Sequence, residues 1–146
     1  MKKIFFDTWG WIAIAHKNDD HHEKISEFYK ASILTGCIPI TTDYVLAETI
    51  TLLRAKTEPK GVIIFMDNIL EATKNNMIIL ERVDEVRWEK AWQLSKKYSD
   101  KPEISFFDLS SFIVMKELRI TEVLTNDLHF EQAGFKGVRQ LLSQRL

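Results

Sequence analysis

An α/β chain built on a parallel sheet, with helices covering both faces, is predicted from two observations. Short apolar runs of strand length alternate with longer stretches of helical periodicity along the whole sequence. The runs also end in acids, threonines or asparagines, which suit turns and helix caps. Strands that alternate with helices pair in parallel and bury both faces. At 146 residues, 45% hydrophobic and 28% charged, the chain has the size and composition of a single domain spanning residues 1–146.

Lys3 to Phe6 is an aromatic, apolar run that ends in Asp7-Thr8, a first strand entering a turn. Thr8 to Ala15 then reads as a short helix carrying Trp9, Trp11 and Ile12. A longer helix follows over His21 to Leu34, with Ile25, Phe28, Tyr29 and Ser32 at helical spacing, and Gly36 closes it. Cys37 to Ile40 is a second strand. Thr41, Thr42 and Asp43 offer caps for a helix that carries Val45, Leu46, Ile50, Leu52 and Leu53 and stops before Pro59.

Lys60 to Asn75 reads as a further helix, and Asn75-Asn76 turns the chain into a third strand, Met77 to Leu80. Asp84 caps a helix running to about Tyr98. Its apolar positions include Val86, Trp88, Trp92 and Leu94; tryptophans can stack bases, but the i, i+4 pair is expected in the core. Beyond a loop of Ser99 to Pro102 come a helix over Phe106 to Leu118 and a fourth strand over Glu122 to Leu124. Asn126 to Gln132 is a helical turn broken by Gly134, and an edge strand is expected near Val138.

Composition excludes several function classes. A net charge of -1 provides no bulk attraction to nucleic acid, which argues against a coating protein but not against an enzyme with a local basic rim. The single cysteine, Cys37, cannot form an intramolecular disulfide and fits a reducing cytoplasm. Asp7 interrupts the apolar start too early for a secretory signal, and no run approaches the roughly 18 residues of a membrane span. A soluble cytoplasmic protein is expected.

Four acids carry the chemistry: Asp7, Glu48, Asp108 and Asp127 close or interrupt the runs IFFD, YVLAETITLL, ISFFDLSSFIVM and VLTND. Asp7 lies at the carboxyl end of a strand, where open parallel sheets bind ligands, though an N-cap role explains it equally well. Glu48 shares a helical stripe with Val45 and Leu52 and so faces the apolar side, where a lone carboxylate is costly. Asp108 shares a face with Phe112 and Met115, but a first-turn acid favoured by the helix dipole is the alternative. Asp127 follows a strand and also suits an ordinary turn. Carboxylates gathered in one pocket repel one another unless a cation neutralises them, and oxygen ligands suit Mg²⁺ or Mn²⁺.

Other polar residues carry less. His16, His21 and His22, with Asp19 and Asp20, lack the spacing of a structural zinc site and read as a solvated helix start. His129, two residues from Asp127, can assist proton transfer or pack in the turn. Arg54, Lys56 and Lys60 lie beyond Glu48 and offer phosphate contacts or a solvated helix end. There is no glycine-rich phosphate loop, nucleophile elbow or plausible cysteine nucleophile.

IFFDT, TTDYVLAETITLL, ISFFDLSSFIVM and LTNDLHFEQAGF together resemble the PIN-domain ribonucleases, in particular the VapC-like toxins of toxin–antitoxin pairs, almost from end to end. The resemblance implies a three-layer α/β/α fold around a central parallel sheet. Asp7, Glu48, Asp108 and Asp127 would match the family's acidic quartet, with Thr8 and Thr125 as supporting polar positions. Asp127 would bind metal through water or tune the site, and Asp100 receives no role. The implied activity is endoribonuclease cleavage with Mg²⁺ or Mn²⁺, which would invert the local charge, activate water and stabilise the leaving oxygen. The implied partners are an RNA substrate, a cognate antitoxin and a second copy in a homodimer. An interaction surface is expected on Val62, Ile63, Phe65 and Met66, whose apolar character exceeds one buried face.

Three rival readings stand beside it. An aspartyl-nucleophile phosphatase needs a second Asp two residues after Asp7, where this chain has Trp9. A non-catalytic RNA- or protein-binding module of the same fold, and a housekeeping RNA-processing nuclease, differ from a toxin in metal dependence and in gene context.

Overall fold

In the computed structural model, which describes residues 2–137, the strands β1 (Lys3–Phe6), β2 (Ile38–Thr42), β3 (Ile79–Glu81) and β4 (Val123–Leu124) form one sheet in the order β3-β2-β1-β4. All three pairings are parallel, with Phe5 opposite Ile40 on one side and Val123 on the other, and Ile40 opposite Ile79. The helices are α1 (Thr8–Ala15), α2 (His22–Leu34), α3 (Asp43–Lys56), α4 (Pro59–Lys74), α5 (Glu85–Lys97), α6 (Phe106–Glu117) and α7 (Leu128–Gln132). The predicted edge strand near Val138 lies outside the described residues, although Lys136 makes a parallel bridge to Glu122.

Strand order fixes the layers. The chain steps from β1 to β2 to β3 in one direction and then returns to β4 on the far side of β1. Right-handed crossovers place helices on one face for the outward steps and on the opposite face for the return. Accordingly α1 packs against α2, α3 and α4, while α5 packs against α6 and α6 against α7. The expected three-layer architecture is therefore present. Ile4, Phe5, Phe6, Ile40, Val123 and Leu124 are fully buried between the layers.

Local chemistry sets the element ends. Thr42 caps α3 by accepting from the Val45 amide, Asp84 caps α5 through Arg87, and Ser105 caps α6 through Asp108. Gly36 follows α2 at φ 83°, a left-handed position that glycine adopts without a Cβ penalty. Arg87 ties α5 to its neighbours, donating to Glu117 and Glu81 at 2.9 Å and to the Arg82 carbonyl at 2.8 Å.

Several expectations are corrected. β2 spans Ile38–Thr42 rather than Cys37 to Ile40, so that Thr42 both ends the sheet strand and caps α3, and β3 begins at Ile79 rather than Met77. Val86, Trp88 and Trp92 are exposed, and only Ala91 of α5 is fully buried. The small Ala91 takes the fully buried position of this helix, so the tryptophans beside it stay at the rim, where Trp88 meets Phe106 at the start of α6. On α4, Val62 and Phe65 belong to the core, whereas Ile63, Ile64 and Leu70 are exposed.

Gly10 marks the closest approach of α1 to the sheet. A Cβ there would stand 2.8 Å from Leu124 Cδ2 and 3.3 Å from the Leu124 carbonyl oxygen. Gly10→Ala is expected to cost about 1–3 kcal/mol through overpacking, against a helix-propensity gain of at most about 1 kcal/mol. Urea unfolding checks this, and a variant as stable as the wild type refutes the close-packing argument.

Candidate active site

A strand order that reverses direction leaves a crevice at the carboxyl ends of the strands where the reversal occurs. Here that point lies between β1 and β4. Asp7 leaves the end of β1, Thr125 and Asp127 leave the end of β4, and the Asp7 amide donates to the Leu124 carbonyl at 3.2 Å. Glu48 comes from α3 and Asp108 from the first turn of α6, two helices that pack against each other. All four acids, with Thr8 and Thr125, line one open cleft of about 510 Å³.

Asp7 occupies the N-cap position of α1 but makes no side-chain capping bond. Its Oδ2 instead accepts from the buried Thr125 hydroxyl at 2.9 Å. Glu48 Oε1 accepts from the Thr8 hydroxyl at 2.6 Å, so each threonine holds one carboxylate. Asp108 is only 8% exposed, and the capping role at its helix belongs to Ser105. Asp127 keeps its turn role as well, capping α7 by accepting from the His129 amide at 2.9 Å. Its own amide donates to Thr125 Oγ1 at 3.1 Å, and the Thr125 hydroxyl in turn joins the β4 end to Asp7 at the β1 end.

Electrostatics follow from this crowding. Burial raises the Asp7 carboxyl to about 6, against the Thr8 amide and Thr125 hydroxyl that lower it, and the charges of Glu48 and Asp127 add to the rise. Asp108 is pushed up to about 8, first by burial, then by the charge of Asp7 and a hydrogen bond shared with Asp127. Such a cluster holds protons that a cation would displace.

His129 enters the site more closely than its sequence position required. Its Nδ1 is buried without a hydrogen bond, 2.9 Å from Asp127 Oδ1 and 3.8 Å from Asp108 Oδ2. Ligand atoms of Asp108, Asp127 and His129 all lie within 4.8 Å of one another. The donor set of carboxylates, hydroxyls and one imidazole fits a divalent cation.

Sequence reasoning did not place Glu103, Asp19 or Trp9 in the cleft, although all three line it. Glu103 comes from a polar loop and Asp19 from a turn, where no apolar run singles out an acid. Of the three candidate phosphate contacts only Lys56 lines the cleft; Arg54 lines a groove between α3 and α4. The histidines after α1 serve local structure: His22 Nδ1 lies 2.7 Å from the Ala13 carbonyl, and the His21 ring packs 5.1 Å from Trp9. Asp100 is exposed and paired with Lys101 at 3.6 Å.

No family model matches the chain. Over 136 residues it is 29% identical to the 23S rRNA-specific endonuclease VapC20 of Mycobacterium tuberculosis, from each of two strains, covering 93% of this chain and 98% of the relative. The crystal structure of that VapC20, described as a sarcin-ricin loop cleaving toxin, is similar with a TM-score of 0.77 at 26% identity. The match covers 90% of this chain and 95% of the other. The VapBC2 structure of Rickettsia felis, bound to a promoter DNA fragment, has a TM-score of 0.68 at 13% identity. It covers 92% of this chain and 96% of that one, a likeness of fold.

Proposed function

We infer that this chain, a PIN-domain protein of the VapC type, is a metal-dependent endoribonuclease that acts as the toxin of a toxin–antitoxin pair. The observation that carries this reading is the convergence of Asp7, Glu48, Asp108 and Asp127 on the crevice between β1 and β4, two of them with raised pKa values. Four carboxylates alone would repel a phosphodiester. A pocket that strains against its own charge is suited to a cation.

Asp7, Glu48 and Asp108 would hold Mg²⁺ or Mn²⁺, with Asp127 binding directly or through water and His129 offering a nitrogen beside it. The cation would neutralise the acids, lower the pKa of a water and stabilise charge on the leaving oxygen. Thr125 and Thr8 keep Asp7 and Glu48 aimed into the cleft. Lys56 sits at the cleft wall, where an RNA phosphate would enter. The specificity of the relative makes a structured rRNA loop the first substrate to try.

The partner reading extends this. A small antitoxin is the expected inhibitor, and exposed Ile63, Ile64 and Leu70 on α4, beside the α3–α4 groove, offer it an apolar surface. A homodimer and a cytoplasmic location complete the reading. No helix among the described residues is long and apolar enough to cross a membrane.

Chelation tests the function directly. Purified protein stripped of metal should leave 23S rRNA intact, and added Mg²⁺ or Mn²⁺ should restore discrete cleavage. Undiminished cleavage in chelator would overturn the metal assignment. Absence of cleavage with either ion, against all RNA classes, would favour a non-catalytic module.

A further inference from the structure

The tryptophans that missed the core have company. Trp88 and Trp92 are 40% and 46% exposed, and their rings stack with centroids 6.5 Å apart at 21°. Trp88 also meets Phe106 at 5.5 Å. The next residue, Phe107, is 37% exposed and sets its ring edge-on to Tyr44 at 6.1 Å. Trp92, Trp88 and Phe106 thus form one ring group between α5 and α6, and Phe107 with Tyr44 forms a second between α6 and α3; the two are joined through the Phe106–Phe107 backbone, with Phe106 and Tyr44 half-buried.

None of the five rings lines the cleft, but Phe106 and Phe107 lie between two residues that do. Phe107 precedes Asp108, and Ser105, the residue before Phe106, lines the cleft. Tyr44 and Glu48 are separated by one turn on the same side of α3. Scattered surface hydrophobics need no explanation, but a contiguous exposed run marks an interaction site. The run consists of aromatic rings, and Lys96 Nζ stands 5.9 Å over the Trp92 ring. Glu85 stands three residues before Trp88 and Glu89 three before Trp92, so two carboxylates flank the tryptophans along α5 while also lining a groove with Lys90, Gln93 and Lys116.

Flat rings with a cation above them stack nucleobases and attract the phosphates between them. We propose that Trp92, Trp88, Phe106, Phe107 and Tyr44 form a base-stacking platform that receives unpaired nucleotides of RNA beside the scissile phosphate. The proposal rests on the ribonuclease reading and deepens it. A duplex keeps its bases stacked inside and cannot use the platform, so the enzyme selects looped or single-stranded RNA. Stacking accepts every base, so the platform selects for unpaired structure and leaves sequence choice to other contacts.

The experiment compares two proteins on a cleavage-dead Asp108→Asn background, with and without Trp88→Ala and Trp92→Ala. Fluorescence anisotropy with a labelled unstructured oligoribonucleotide and with a labelled RNA duplex reads affinity. The double substitution should weaken the unpaired oligonucleotide by about tenfold or more and leave duplex affinity within about twofold. Trp88→Phe and Trp92→Phe, which keep a ring, should recover most of the loss. Oligonucleotide should also quench tryptophan fluorescence in the parent protein. Equal affinity for unpaired RNA in both proteins overturns the platform, including the case where sedimentation shows that the substitutions instead dissociate a dimer. Failure of the platform alone leaves RNA cleavage by the wild type intact, whereas failure of the ribonuclease reading removes that cleavage.

Discussion

Asp108→Asn is expected to abolish RNA cleavage while making the metal-free protein more stable. The Asp108 carboxyl is buried beside Asp7, Glu48 and Asp127, and burial and those charges push it up to about 8. Asparagine keeps the shape and a hydrogen-bonding group toward Asp127 but removes the charge a cation needs. Loss of one such electrostatic contact lowers turnover by at least about 10²-fold. Above pH 8 the wild type keeps a buried anion among like charges, and the variant does not. Asp7→Asn should behave in the same way, with a gain of up to about 3 kcal/mol from its smaller shift. The opposite signs separate a catalytic acid from a structural one, because a merely structural acid would lose activity and stability together. Cleavage at wild-type rate, or a lower melting temperature in chelator, would sink the assignment.

Stability and metal affinity are expected to change in opposite directions with pH. The folded-state values of Asp7, about 6, and Asp108, about 8, both lie above the usual 3.8. Between about pH 4 and 8 the folded protein therefore holds protons that the unfolded chain has released, so metal-free stability falls as pH rises through that window. A cation needs the ionised carboxylates, so its affinity rises over the same range and binding expels protons. Thermal melts with and without Mg²⁺ check this. The metal-free melting temperature should fall from pH 5 to pH 9, and Mg²⁺ should restore more at pH 9. At a hundred times its dissociation constant the ion contributes about 2.7 kcal/mol, or about 5–10 °C for a chain of this size. A metal effect equal at both pH values would show that Asp7 and Asp108 do not bind it.

Much of the local structure could be read from the chain. The apolar runs marked all four strands to within a few residues, and Thr42, Asp84 and Gly36 stand at the helix ends their chemistry suggested. Glu48 stood out by its place beside Val45 and Leu52, and it lines the cleft. The tryptophans failed the same logic. A bulky pair at i, i+4 defines a helix face but not whether that face meets the core, and in α5 the contact is made by Ala91. Glu103 and Asp19 gave no local signal, because loop residues carry no periodicity from which to infer a direction, whereas His129 was marked by its spacing from Asp127.

The sequence by itself determined which segments become strands and helices and which acids are out of place among apolar neighbours, since caps, turns and periodicity act over a few residues. Only the tertiary structure decided that these acids meet. Local preference does not say whether β4 joins the sheet beside β3 or beside β1. Its place beside β1 puts Asp127 and Thr125 next to Asp7, and the crossing of α3 and α6 completes the cleft with Glu48 and Asp108. Carboxylate repulsion is set by distance through space, so the electrostatic character of this site exists only once the sheet is assembled.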